Sequence, residues 1–163
     1  MKTENTICVA GDHAGFELKE QIKDYLNSRG YSVMDYGAGR YDGEDDYPVF
    51  AQALASAVLN GEHERGILFC GTGVGACIAA NRYTGIRAAL CFTPEMGQLS
   101  RAHNDSNVLV LGARTTSLDQ AKAITDAWLE GSFEGGRHQR RVNQLDEPQK
   151  GNLQQAWVPK GEK

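Results

Sequence analysis

The stretch GILFCGTGVGAC at 66–77 constrains this chain more than any other. It opens with an apolar run, Ile67-Leu68-Phe69, of the kind a buried strand needs. Glycine then falls at alternate positions, Gly71, Gly73 and Gly75, before the small, helix-compatible run from Ala76 to Ala80. The order is strand, tight loop, helix start. Glycines let a backbone turn sharply and approach a ligand closely. A helix start offers unpaired N–H groups and partial positive charge to an anion. Cys70 stands at the carboxyl end of the strand, where open α/β sheets place their ligands. A thiol beside a ring of backbone donors is a reaction site in outline.

Two other readings compete. Gly71-x-Gly73-x-x-Ala76 fits the looser dinucleotide fingerprint. That motif also wants an acidic residue about 20 positions on, at the end of the next strand. Here the next strand is expected at 86–90, and Cys91-Phe92-Thr93 follows it without an acid. The second reading is a structural turn with Cys70 as a small buried hydrophobe, and the loop alone leaves that one open.

The rest of the chain repeats the strand-then-helix rhythm. Strands are expected at 6–10, 31–34, 67–70, 86–90 and 108–111. A helix over 16–29 shows the 3.6-residue periodicity and stops at Gly30. Asp46-Tyr47-Pro48 reads as an N-cap with proline in the first turn of a helix reaching 59. Further helices are expected at 74–83, at 94–103, from a Ser117 cap to 129, and at 137–145 after the Gly135-Gly136 break. Five alternations predict a five-stranded parallel sheet covered on both faces, in a Rossmann-like doubly wound α/β domain. The 163 residues suit one domain, set at 1–146, with a polar tail at 147–163 whose only anchors are Trp157 and Val158.

Composition narrows the function. A formal net charge of −4 gives no global attraction to nucleic acid or an anionic membrane, so any basic site must be local. The N-terminus lacks the apolar core of a secretion signal, and no run approaches a membrane span. The cysteines at 8, 70, 77 and 91 form no CxxC pair and no Cys/His cluster of zinc spacing. They read as reduced cytoplasmic thiols, and no metal is expected.

Polar residues gather where strands begin and end. Asp12-His13 follows the first strand, Cys70 the third and Arg114 the fifth, while His103-Asn104-Asp105 precedes the fifth. Singly, each suits an ordinary solvated loop. Arg137 and Arg141 are four apart, so they share one helix face. Two guanidiniums on one face near a helix start suit a phosphate.

Seven ordered motifs resemble the type B ribose-5-phosphate isomerases and their galactose-6-phosphate and allose-6-phosphate relatives. They are GDHAG (11–15), DYP (46–48), GILFCGTGVG (66–75), AANR (79–82), IRAALC (86–91), SRAHNDSNVLVLGAR (100–114) and FEGGRHQRRV (133–142). The resemblance runs from about residue 6 to 146 and leaves the tail outside. It implies that Cys70 is the catalytic base, that His103 assists ring opening, and that Asp12, Asn104 and the loop Gly71, Gly73, Val74, Gly75 hold the sugar. His13, Arg114, Arg137 and Arg141 match phosphate-side positions. One branch of that family replaces the thiol by a glutamate at the position of Ala76, so Cys70 with Ala76 belongs to the thiol branch. The resemblance also implies a homodimer whose sites draw on both subunits.

The chemistry is coherent in its own right. Aldose–ketose exchange moves a proton between C1 and C2 through an enediolate. One base can take and return it, provided that base is a thiolate, and a helix N-terminus is expected to lower the pKa of Cys70 for that purpose. The loop N–H groups, with Thr72 as a further donor, can stabilise the enediolate oxygen. His103 can shuttle the ring-opening proton near neutral pH. No cofactor is needed. The leading expectation is therefore isomerisation of ribose 5-phosphate and ribulose 5-phosphate, a step of the pentose phosphate pathway. A six-carbon 6-phosphate is the second choice, and the loop 37–46 is the segment expected to decide between them. A nucleotide-binding module and a sugar-phosphate sensor are the rivals of other classes. Because His103 precedes a strand and Cys70 ends one, the two are expected at opposite edges of the sheet, and to meet across a dimer interface.

Overall fold

Alternation along the central strands sorts the core into two halves. In β1 (Thr6–Gly11), Ile7 and Val9 face one way, and Cys8 and Ala10 the other. In β3 (Gly66–Cys70), Ile67 and Phe69 join the first half, and Leu68 and Cys70 the second. In β5 (Val108–Gly112), Leu109 and Leu111 oppose Val108 and Val110. Side chains alternate across a strand, so strands apolar at every position must be covered on both faces.

Two helices cover the first face. These are α1 (Phe16–Ser28), through Leu18, Ile22 and Leu26, and α5 (Leu118–Glu130), through Ile124 and Trp128. The second face carries smaller residues and takes α2 (Tyr47–Leu59) and α3 (Val74–Ala80). The remaining elements are β2 (Ser32–Asp35), β4 (Ala88–Leu90), α4 (Pro94–Asn104) and α6 (Arg137–Asp146). All strand pairs are parallel, in the order β2-β1-β3-β5-β4. This is the expected doubly wound sheet, seen in a computed structural model that describes residues 5–147. The anchors proposed for the tail, Trp157 and Val158, lie outside the described residues. Among those residues, no helix is long and apolar enough to cross a membrane.

Some element ends differ from expectation. The fourth strand begins at Ala88, because Ile86 N–H turns back to Tyr83 O and Arg87 N–H is taken by the Asn107 side chain. The helix after the glycine loop has seven residues and stops at Ala80. Asp46 occupies the N-cap of α2 without a side-chain capping bond, whereas Ser117 forms a full capping box with Gln120.

A lysine completes the packing of α1. Lys19 is fully buried, and its Nζ donates to Asp35 at the end of β2 and to Ala38 O (3.1 Å). Lys23 adds a second donor to Asp35 at 2.7 Å. Burying an ammonium is tolerable only when it is paired and hydrogen-bonded.

Strand order also fixes where a ligand fits. From β1 the chain crosses to β2 on one side, and β3 lies on the other. Connections leaving in opposite directions open a crevice at the carboxyl ends of β1 and β3. Asp12 and Cys70 occupy those two ends.

Candidate active site

Cys70 is buried, and its thiol donates to Asp12 Oδ2 at 3.5 Å. The other oxygen of Asp12 accepts from Gly15 N–H at 3.0 Å, which holds the carboxylate at the turn into α1. Burial pushes the Cys70 pKa up, and the Asp12 charge adds to that. The backbone N–H groups of Gly73 and Gly71 pull it the other way without prevailing. This corrects the expectation that a helix start lowers it. The loop donors are there, but a short helix cannot outweigh a neighbouring carboxylate and a desolvated sulfur.

The loop itself is forced by geometry. Gly73 has φ +81°, a left-handed conformation that strains a residue with a Cβ. At Gly71 a Cβ would stand 2.9 Å from Arg114 Nη1, so the guanidinium lies directly against the loop. Backbone bonds lock this arrangement, with Ala113 N–H and Arg114 N–H donating to Cys70 O and Gly71 O, both at 2.8 Å. Thr72 is exposed, and its Oγ1 accepts from Val74 N–H at 3.4 Å. The ring of Tyr47 rests over Gly75.

His13 follows Asp12 at the same edge. Its backbone N–H and its Nδ1 both meet Asp45 Oδ1, at 2.9 and 2.7 Å. That contact pushes the imidazole pKa up, and the Asp12 charge supports it.

His103 stands elsewhere. It lies in the last turn of α4, five residues before the first residue of β5. Asp105 closes the helix in a left-handed conformation (φ 47°), and Arg101 Nη1 binds both Asp105 and Ser106 O. The first residue of β5 pairs with Gly66, the first of β3, while Cys70 is the last of β3. His103 and Asn104 thus occupy the edge of strand starts, and Cys70 the edge of strand ends.

Helix α6 lies at that first edge too. His138 stacks on His103, with ring centroids 4.3 Å apart and planes within 7°. Glu134 Oε2 lies 3.5 Å from His138 Nε2 and 4.0 Å from His103 Nε2. Burial, the neighbouring His103 and the charges of Arg137 and Arg141 hold the His138 pKa down. At the helix's far end, Asp146 pairs with Arg87 at 2.8 Å. The expected phosphate group therefore divides within one chain. His13 and Arg114 stand at the carboxyl edge, and the exposed Arg137 and Arg141 at the amino edge.

Among the described residues, two sets of three donors come within 4.8 Å of one another, Asp12–His13–Asp45 and His103–Glu134–His138. The first is already knitted by the His13–Asp45 bonds. In the second, two guanidiniums oppose a cation. Sequence reasoning missed Asp45, Tyr47, Glu134 and His138. Glu134 lies before the Gly135-Gly136 break, so its spacing from His138 was no helical signal, and nothing local links Asp45 to His13, 32 residues away.

Parallel sheet, switch-point thiol and glycine loop together define an α/β isomerase, and the ribose/galactose isomerase family model matches residues 7–145. The chain belongs to that family. It is 52% identical to ribose-5-phosphate isomerase B of Escherichia coli, over 82% of this chain and 89% of that one. A Thermotoga maritima ribose 5-phosphate isomerase structure superposes with a TM-score of 0.86 at 46% identity, covering 88% of this chain and 99% of its own. The Mycoplasma genitalium ribose-5-phosphate isomerase B, solved with bound ribulose 5-phosphate, gives 0.83 at 42%, covering 86% and 93%.

Proposed function

We propose that this isomerase interconverts ribose 5-phosphate and ribulose 5-phosphate, as a cytoplasmic homodimer with sites shared between subunits. The observation that carries the reading is the Cys70 thiol at the switch point, bonded to Asp12 and ringed by loop amides. The relatives' names supply the substrate class.

Cys70 serves as the base at C1 and C2. Its S–H donates to Asp12 Oδ2, so passing that proton to the carboxylate creates a thiolate and removes the neighbouring negative charge in one event. The amides of Gly71, Gly73, Val74 and Gly75, with Thr72, hold the enediolate oxygen, and Asp12 also holds the sugar. The partner subunit's His103 opens the ring, and the partner subunit's Asn104 binds the sugar. His13 and Arg114 meet the phosphate from one side, and the partner subunit's Arg137 and Arg141 from the other. The phosphate is a remote handle whose binding energy positions the reacting carbons. Separation of these groups to two edges of one sheet supports the shared site, because one chain cannot close it alone.

A coupled assay across ribose 5-phosphate, allose 6-phosphate and galactose 6-phosphate tests the substrate. The largest kcat/KM is expected for ribose 5-phosphate. A larger value for either hexose phosphate overturns the pentose assignment, and inactivity on all three overturns the isomerase reading.

A further inference from the structure

We propose that Asp45 is a positioning residue for the phosphate site, one that fixes the ring of His13 so that Nε2 is the atom left to meet the substrate. The proposal rests on the reading of His13 as a phosphate-side residue. One carboxylate oxygen, Oδ1, takes both the backbone N–H of His13 (2.9 Å) and Nδ1 (2.7 Å). Two bonds to one residue set both the position and the rotation of the imidazole. They also set its tautomer, because Nδ1 must carry a proton to donate to a carboxylate. Nε2 makes no hydrogen bond among the described residues.

The consequence is electrical. With Nδ1 protonated, a neutral ring presents Nε2 as an acceptor, which a phosphate oxygen repels. Only the imidazolium presents Nε2 as a donor. Asp45 stabilises that form, and its Oδ2 is buried without a hydrogen-bond partner in the described residues. A carboxylate so poorly served by other donors depends on the imidazolium beside it. The groups facing the ring are Asp45 from the loop before α2, Asp12 from the end of β1, and the edge-on ring of Tyr41 at 6.2 Å. Both charged neighbours are anionic, and the pKa of His13 accordingly stands above its ordinary value. Phosphate affinity should hold through neutral pH and decline once His13 loses its proton.

Asp45→Asn tests this, since the amide oxygen can still accept both bonds while the charge is gone. KM for ribose 5-phosphate is measured against pH in wild type, Asp45→Asn and His13→Ala. The His13 titration is followed by NMR on histidine-labelled protein, which also confirms that each variant is folded. The expected result is that the rise in KM moves to lower pH in Asp45→Asn, together with the His13 titration. Between the two midpoints KM should rise about tenfold, the loss of one charge-assisted bond, with the change on KM rather than kcat. Titration of the substrate's own phosphate is common to all three proteins and cancels in the comparison. If His13→Ala raises KM but Asp45→Asn moves neither curve, the role of Asp45 is overturned and the proposed function stands. If His13→Ala leaves KM unchanged at every pH, His13 is no phosphate ligand, and this inference falls with that assignment.

Discussion

The two edges of the sheet are built by different means. At the carboxyl edge, Asp12, Cys70 and Arg114 are set by backbone. Asp12 directly follows β1, Cys70 ends β3 and Arg114 lies two residues past β5, and the bonds of Ala113 and Arg114 to Cys70 and Gly71 tie the two loops together. At the amino edge, His103 and His138 are set by side chains, through a ring stack and a shared carboxylate. Backbone-set groups suit a reacting centre that must hold sub-ångström geometry. Groups held by packing between two helices can adjust when a second surface closes over them. On the proposed shared site, the difference puts the chemistry at the backbone-set edge and the closing groups at the adjustable one.

Removing the proposed base should break the comparison most severely. Cys70→Ala is expected to lose about 10²–10⁴-fold or more of C2 proton exchange, the usual weight of a positioned acid or base. Phosphate binding should survive. Solvent deuterium entering the substrate at near wild-type rate would show that another group takes the proton.

His103→Ala should act more selectively. It is expected to be poor on the cyclic aldose and closer to normal on ribulose 5-phosphate, which is open-chain. Mixing Cys70→Ala with His103→Ala protomers should restore part of the activity, because a hybrid dimer rebuilds one whole site. No recovery after confirmed subunit exchange counts against a shared site.

The smallest effect belongs to the arginines. Arg137→Ala or Arg141→Ala should raise KM by roughly ten- to a hundredfold, since a charge-assisted hydrogen bond is worth ~1.5–3 kcal/mol. The unphosphorylated sugar should be nearly indifferent, and equal losses on both substrates would make these residues structural.

How much of this could be read from residues alone follows from what is local. The glycine pattern at 71–75 announced its loop because only glycine tolerates the Gly73 conformation. The opposite placement of Cys70 and His103 followed from parallel topology, since one ends a strand and the other precedes one. The Arg137 and Arg141 pair was legible as one helix face by its i, i+4 spacing. Its edge was not, because α6 follows the last strand and no sheet rule places it. The direction of the Cys70 shift was misread because the burial of the sulfur and, after it, the charge of Asp12, 58 residues away, are invisible to local pattern. Asp45 escaped notice for the same reason, in a loop whose polar residues all look alike until one of them meets His13.

The buried ammonium of Lys19 reaches further than its own packing. It grips Asp35 and, through Ala38 O, the first residues of the loop that later presents Asp45. Burial opposes the charge on Asp35, but the two lysines and Gly37 N–H more than compensate and hold its pKa below the ordinary value. A depressed carboxylate contributes stability above its unfolded pKa and loses it as pH falls through the folded one. Mild acid therefore spares the ion pair, and stronger acid strikes it at the root of the loop. Protonating Asp35 leaves the buried Lys19 ammonium without that charge partner, so the cost falls on the packing of α1 as well as on the loop. Acid strong enough to protonate Asp35 should therefore loosen helix and loop together, a coupling that hydrogen exchange at α1 and at the loop would read as one transition.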